Sequence, residues 1–275
     1  MKRLLNCFLT TFALISRIPV KCRYRADFTY TGLFIPPVGI FVTAINLFLY
    51  FLLRPFTDSF VVALVILVIQ YLLFNLFHFD GFLDSVDALF CHANRDQRIN
   101  ILKDSKIGSF ALFGGIIYLF SKIYLLARSF SLIEHLAGEN LVFAQPVAVF
   151  ILLSYPISGR AGAGLIPCFL KPAKETGLGA LLKNYKRSYA FFGVVIVFLL
   201  VSIPPTAFAI LKPGFNYIIL LVSLTAAFIS FFIVFRIYKR KIGGFTGDAL
   251  GFSIEMGELF HIFIFYLLIL YSVNP

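Results

Sequence analysis

Runs of about twenty apolar residues recur along the chain, each the length a helix needs to cross roughly 30 Å of hydrocarbon. Seven of them stand at about 33–53, 60–77, 110–130, 141–157, 190–210, 216–238 and 256–273. In lipid every backbone polar group must find its partner inside the protein, which for runs of this length means a helix. Pro36-Pro37, Gly114-Gly115 and Pro204-Pro205 fall within runs, where neighbouring helices can satisfy the freed backbone groups. The chain is 60% hydrophobic with a mean hydropathy of +0.93, against about 45–50% apolar in a soluble domain. The even spacing of the runs predicts an all-α fold, a polytopic integral-membrane helical bundle. It would hold about seven transmembrane helices in one domain over residues 1–275, with no separate soluble domain.

Orientation follows from the basic residues. The net charge is +11 and the pI about 9.6. With the N-terminus in the cytoplasm, segments 1–32, 78–109, 158–189 and 236–258 face that side and hold 20 of the 24 Lys and Arg. The opposite loops hold Arg54 and Lys212, and Lys122 and Arg128 belong to the third run. This is the positive-inside pattern, so the charge is assigned to topology and contact with the lipid bilayer. No recognition motif accompanies it, which argues against nucleic acid. The start, Met1-Lys2-Arg3 and an apolar stretch, has the outline of a signal peptide, but Arg17 interrupts it and no small-x-small site follows. An uncleaved N-terminal interfacial helix is expected instead. Residues 131–140, with Glu134, His135 and Glu139, read as a solvated turn. Cys7, Cys22, Cys91 and Cys168 form no CxxC pair and lie near the cytoplasmic side, which argues against disulfides and zinc.

The chemistry concentrates at two span ends. After the second run comes Phe77-His78-Phe79-Asp80-Gly81-Phe82-Leu83-Asp84-Ser85-Val86-Asp87. Asp80, Asp84 and Asp87 are spaced i, i+4, i+7, one face of a helix. Like charges at that spacing weaken a helix, and the residues between are apolar, so a cation is expected to offset them. Magnesium commonly joins one or two carboxylates to substrate phosphates, so Asp80, Asp84 and Asp87, with Asp248, are the predicted Mg²⁺ ligands and catalytic carboxylates.

The second end is Lys239-Arg240-Lys241-Ile242-Gly243-Gly244-Phe245-Thr246-Gly247-Asp248-Ala249-Leu250-Gly251, followed by Glu255 and Glu258. Glycines allow backbone N–H groups to approach phosphate. If 248–258 is helical, Asp248 and Glu255 share a face with Glu258 near it, and ionisable groups at the mouth of an apolar helix are usually functional. Gly244, Thr246, Gly247, Glu255 and Glu258 are therefore assigned to substrate binding. Weaker signals are Lys103-Asp104-Ser105-Lys106-Ile107-Gly108, where two cations bracket a carboxylate, and Arg160, at the expected cytoplasmic end of the fourth run. Arg160, Lys103, Lys106 and Lys241 are candidates to orient phosphates, with Asp104 and Ser105 beside them. His78 adjoins the aspartates and can donate to carboxylate or phosphate. His92, His135 and His261 receive no role, and neither a Ser-His-Asp order nor a Walker A motif is present.

At these residues the chain resembles the cobalamin synthase (adenosylcobinamide-GDP ribazoletransferase) family. The resemblance runs through Ser16-Arg17-Ile18-Pro19-Val20, His78 to Ala88, Lys103 to Gly108 and Gly243 to Glu258, in the family's order and spacing along nearly the whole chain. Ala88 stands where the family usually has Gly, Phe252 where a small residue is common, and Lys103 and Lys106 where it has arginines. The resemblance implies a Mg²⁺-dependent transferase of the bacterial inner membrane with its active site facing the cytoplasm. Its substrates would be adenosylcobinamide-GDP and α-ribazole, or α-ribazole 5′-phosphate, with GMP released. A homo-oligomer is left open. One rival is a CDP-alcohol-type membrane phosphotransferase, although its DGxxAR pattern is broken here by Asp84 and Ser85. The other is an ion-coupled transporter, whose site would sit near the membrane midplane.

Overall fold

The computed structural model describes residues 2–20, 26–138, 145–211 and 221–273. Cys22, Glu139, Lys212 and the starts of the runs expected from 141 and 216 lie outside them. Helices follow one another as α1 (Lys2–Leu14), α2 (Thr31–Leu53), α3 (Ser59–Gln70), a π-helical turn (Tyr71–Asn75), α4 (Leu76–Phe90), α5 (Arg95–Ile101) and α6 (Ser109–Gly138). Then come α7 (Gln145–Leu153), α8 (Tyr155–Phe169), α9 (Leu178–Leu181), α10 (Arg187–Leu211), α11 (Val222–Lys241) and α12 (Gly247–Val273). Seven helical segments among the described residues are long and apolar enough to cross a membrane. The expected all-α polytopic bundle is thus the observed architecture.

Four boundaries differ from the sequence reading. The third span does not stop near 130 but continues as helix to Gly138, so residues 131–138 are not a solvated turn, and Glu134 pairs with Arg54. The second span does not stop near 77 but continues through the π turn to Phe90, 32 residues in all. His78 to Ala88 is therefore the end of a spanning helix, because the apolar residues between its aspartates keep it packed on the bundle. The fourth span runs from Gln145 to Phe169. It breaks at Ser154, just before Pro156, and restarts as α8, so Arg160 lies inside it instead of at its end. The last span begins at Gly247, not 256, because Asp248 occupies its first turn, where a carboxylate complements the helix dipole.

Helix α1 packs on α2 through buried Cys7, Thr10 and Thr11, and Thr11 donates to the Cys7 carbonyl (2.8 Å). Its start is held by an Arg3–Asp27 ion pair at 2.8 Å, which pulls the Asp27 carboxyl down to about 2. Beyond α1, the Arg17 N–H bonds to the Leu73 carbonyl (2.7 Å), joining this segment to the π turn.

The pillar of the bundle is α8, packed against α2, α10, α11 and α12. Small residues allow backbones this near one another. A Cβ on Gly159 would collide with the Ile254 carbonyl, and one on Gly257 would lie 2.7 Å from the Gly159 Cα. The α4–α12 contact is built the same way. A Cβ on Gly81 would stand 2.9 Å from the Asp248 Cα, and one on Gly251 2.6 Å from the His78 carbonyl oxygen. By contrast, a Cβ on Gly164 meets nothing nearer than Pro36 at 3.7 Å.

The same substitution should therefore act with opposite sign at two glycines. Gly251→Ala forces α4 from α12 and is expected to cost about 1–3 kcal/mol, while Gly164→Ala, in a roomy helical site, should be neutral or stabilising by about 0.5–1 kcal/mol. Melting temperatures of the two purified variants in one detergent check this, and equal shifts would contradict the packing described.

Candidate active site

At the basic end of the bundle, the last turns of α4 meet the first turn of α12. Asp80, Asp84 and Asp87 project from α4 and Asp248 from α12. Gly81 lets the two backbones touch at Asp248. Ser85 staples them: its Oγ donates to the Gly81 carbonyl (2.6 Å), lies 2.7 Å from the Tyr238 hydroxyl, and reaches the Asp248 carbonyl at 3.4 Å. Acidic groups some 160 residues apart in sequence thus share one site. The charges of Asp80, Asp248 and Asp87 all bear on Asp84, and Lys174 opposes them.

The four aspartates are not equivalent. Asp87 accepts from the Gly108 N–H (2.6 Å) and the Ala111 N–H (2.9 Å). Both its oxygens cap α6, satisfying donors a helix start leaves open, so the expected ligand is engaged as a structural cap. This also explains Gly108, where a Cβ would lie 2.6 Å from an Asp87 oxygen. Asp248 Oδ2 accepts from the Thr246 hydroxyl (2.9 Å). Asp80 and Asp84 make no hydrogen bond or ion pair with another described residue; Asp80 is exposed and Asp84 half-buried.

Among the described residues no three His, Cys, Asp or Glu side chains close around a point as a ready-made metal cage. That donor set still fits magnesium, which keeps waters and is held by one or two carboxylates plus substrate phosphates. Asp80, Asp84 and Asp248 keep oxygens free in a like-charged cluster, the kind of donor such a site would use.

Several other assignments are corrected. Glu255 and Glu258 are not at the mouth but fully buried, about two and three turns deeper along α12 than Asp248. Arg160 is fully buried with them: it donates to Glu258 Oε1 (3.0 Å), the Asn75 side-chain oxygen (3.0 Å) and the Pro156 carbonyl (3.1 Å). It is therefore committed inside the bundle and unavailable to orient a phosphate. Lys122 completes the group, with Nζ 2.6 Å from Glu258 and 3.2 Å from Glu255. Tyr118 (2.6 Å) and Tyr71 (2.7 Å) donate to Glu255, Gln70 (2.9 Å) to Glu258, and Asn75 to both at 2.9 and 3.0 Å. The π turn serves this network, since widening the helix at Tyr71–Asn75 brings Tyr71 and Asn75 to bear on it together.

His78 is buried, its Nε2 without a described partner, on the α4 face that meets Gly251. Lys241 donates to the Leu89 carbonyl (2.6 Å), Arg98 to the Ala88 and Cys91 carbonyls, and Arg95 to the Ile242 carbonyl (2.7 Å). These cations cap the C-termini of α4 and α11, where positive charge is favoured. Lys103, Asp104, Ser105 and Lys106 are exposed at the rim, and Asp104 accepts from the Lys106 N–H (3.1 Å). Gly244 is pressed against the Lys171 carbonyl (2.7 Å from its would-be Cβ), while Thr246 and Gly247 line a cavity of about 220 Å³ beside Asp248.

Two cations escaped the sequence reading. Lys122 is the lone lysine in the run Phe110–Phe130; an ammonium there demands a carboxylate from another span, and Glu255 and Glu258 of the last span supply it. Lys174 reads as one more positive-inside residue, yet it lines the cavity next to Asp248. Burial pulls its ammonium below the usual lysine range, with Asp248 opposing that shift and Lys103 adding to it.

A family model described as cobalamin-5-phosphate synthase matches residues 7–266. Curated relatives named adenosylcobinamide-GDP ribazoletransferase include that of Fervidobacterium nodosum, 31% identical over 93% of this chain and 94% of its own. The protein of Kosmotoga olearia is 30% identical over 92% and 95%, and that of Clostridium kluyveri 32% over 94% and 95%. No solved structure matches.

Lys122→Met leaves two buried glutamates against one arginine and is expected to cost about 3–5 kcal/mol. Adding Glu255→Gln restores neutrality and should recover a large part of that loss. Thermal unfolding of the single and double variants in detergent measures the coupling; additive losses would show that these charges act independently.

Proposed function

The chain belongs to the cobalamin-5-phosphate synthase family, and on that premise we propose that it joins adenosylcobinamide-GDP to α-ribazole, or to its 5′-phosphate, with release of GMP. The observation that carries this reading is the meeting of Asp80 and Asp84 with Asp248 at the basic end of the bundle. A ribose hydroxyl oxygen of the acceptor bonds to the corrinoid-side phosphorus. The bridging P–O bond breaks, and its electron pair leaves with GMP. The hydroxyl proton passes to a carboxylate. Asp84, half-buried at the centre of the cluster, is the base we assign. Asp80 and Asp248 would hold Mg²⁺, which when bound supplies charge neutralisation to the pyrophosphate. The product is adenosylcobalamin or its 5′-phosphate.

With Arg160 drawn into the bundle, the remaining nineteen basic residues of the segments assigned to one side support an active site on the cytoplasmic face of a bacterial inner membrane. For the transporter alternative, the relevant charges are Lys122, Arg160, Glu255 and Glu258. They are fully buried and paired with one another, so the bundle interior offers an ion no free carboxylate among them. A CDP-linked donor gains no support from any contact at the site.

GMP release from adenosylcobinamide-GDP and α-ribazole by the purified protein, with CMP release from a CDP-alcohol donor as the comparison, tests the reading. Asp80→Ala is expected to lose at least about 100-fold in rate with an unchanged melting temperature. Asp87→Ala should instead lose stability, by about 0.5–2 kcal/mol. Full activity in the Asp80 variant would remove that residue from the mechanism.

A further inference from the structure

The cavity beside Asp248 has two unlike walls. On one stand Thr246, Gly247 and Asp248; on the other lie Lys174, Thr176 and Gly177, from the segment between α8 and α9. Two backbone hydrogen bonds lock these walls in register: Ala173 N–H to the Phe245 carbonyl and Phe245 N–H to the Lys171 carbonyl, each 2.9 Å. They form the one isolated bridge among the described residues, Pro172 with Phe245. Gly177, at φ +85°, takes a left-handed turn that a side chain would strain, and its carbonyl accepts from the Ala180 and Leu181 N–H groups. Lys174 is thus carried on a braced loop, half-buried, with no ion-pair partner within 4 Å among the described residues.

A braced ammonium across a cavity from the Asp248 carboxylate suits a ligand with two anionic groups. One meets the carboxylate wall through a divalent cation, and the other meets the lysine directly. The donor in the reaction proposed above carries two phosphates, only one of which departs. We propose that this cavity seats the departing nucleoside monophosphate, with Lys174 contacting its phosphate. The assignment rests on that reading of the reaction and adds a residue outside all the sequence motifs. About 220 Å³ accommodates a phosphate and the sugar it bears, leaving the base toward the open side.

GMP is the probe. Equilibrium binding of GMP to the full chain in detergent, with Mg²⁺ present, should weaken about 10–100-fold in Lys174→Ala and by much less in Lys174→Arg. The KM for adenosylcobinamide-GDP should rise with it while the KM for α-ribazole stays put. In the unaltered protein, GMP should slow acylation of Lys174, read by mass spectrometry, and leave Lys186 unaffected. Unchanged GMP affinity in the alanine variant, an equal rise in both KM values, or no protection of Lys174 would overturn the assignment. If the unaltered protein binds GMP through Lys174 yet releases none from the donor, the proposed reaction fails and the nucleotide site stands.

Discussion

Four ionisable side chains, Lys122, Arg160, Glu255 and Glu258, meet in the interior of the bundle with their formal charges in balance. In hydrocarbon none of them is tolerable alone. Each pair ties distant spans together: Lys122 brings α6, Arg160 brings α8, and the glutamates bring α12, while Gln70, Tyr71 and Asn75 add the second span. A TM bundle has no hydrophobic force to choose between helix partners, because lipid is as apolar as the helices. Here the need to neutralise charge makes the choice. A misassembled bundle would strand an ion in oil, so the network selects one arrangement of four spans.

Once that arrangement is fixed, glycines set its fine spacing. Gly159 and Gly257 bring α8 and α12 into backbone contact, and Gly81 and Gly251 do the same for α4 and α12. The carboxylates therefore come together as a by-product of packing that begins about two to three turns deeper along α12. That order matters energetically, because Asp80, Asp84 and Asp248 repel one another and could not themselves hold their helices together. The buried network supplies the stability, and the repelling cluster above it keeps its oxygens open.

Much of this was legible in the chain. Apolar run length gave seven spans, since a bilayer tolerates little else, and the lopsided lysines and arginines gave one basic end. The i, i+4, i+7 spacing found the face of Asp80, Asp84 and Asp87 because helical period is local. What failed was non-local. Nothing in the neighbourhood of Asp87 announces that Gly108 and Ala111 will claim its oxygens, since the helix it caps begins some twenty residues later. Glu255 and Glu258 have the same spacing logic as a surface face, and only their partners Lys122 and Arg160, on other spans, turn them inward. Arg160 was misplaced because a break at Ser154 shifted the fourth span toward the C-terminus. Lys174 stayed hidden because a braced loop lysine and a topological lysine share one sequence appearance.

The second span's length has a further consequence. Thirty-two helical residues reach about 48 Å, well beyond a hydrocarbon layer of roughly 30 Å. Asp80 lies 21 residues from the start at Ser59, about 31 Å along the axis, so with Ser59 at the opposite surface and the helix upright the last three turns would stand among lipid headgroups. Bulky, water-soluble reactants can then meet there without entering oil, and the depth of the reaction plane is tied to membrane thickness. A bilayer a few ångströms thicker would draw Asp80 toward the acyl chains, where charge is penalised. The length of one helix thus acts as a gauge, matching the enzyme to membranes of a particular width.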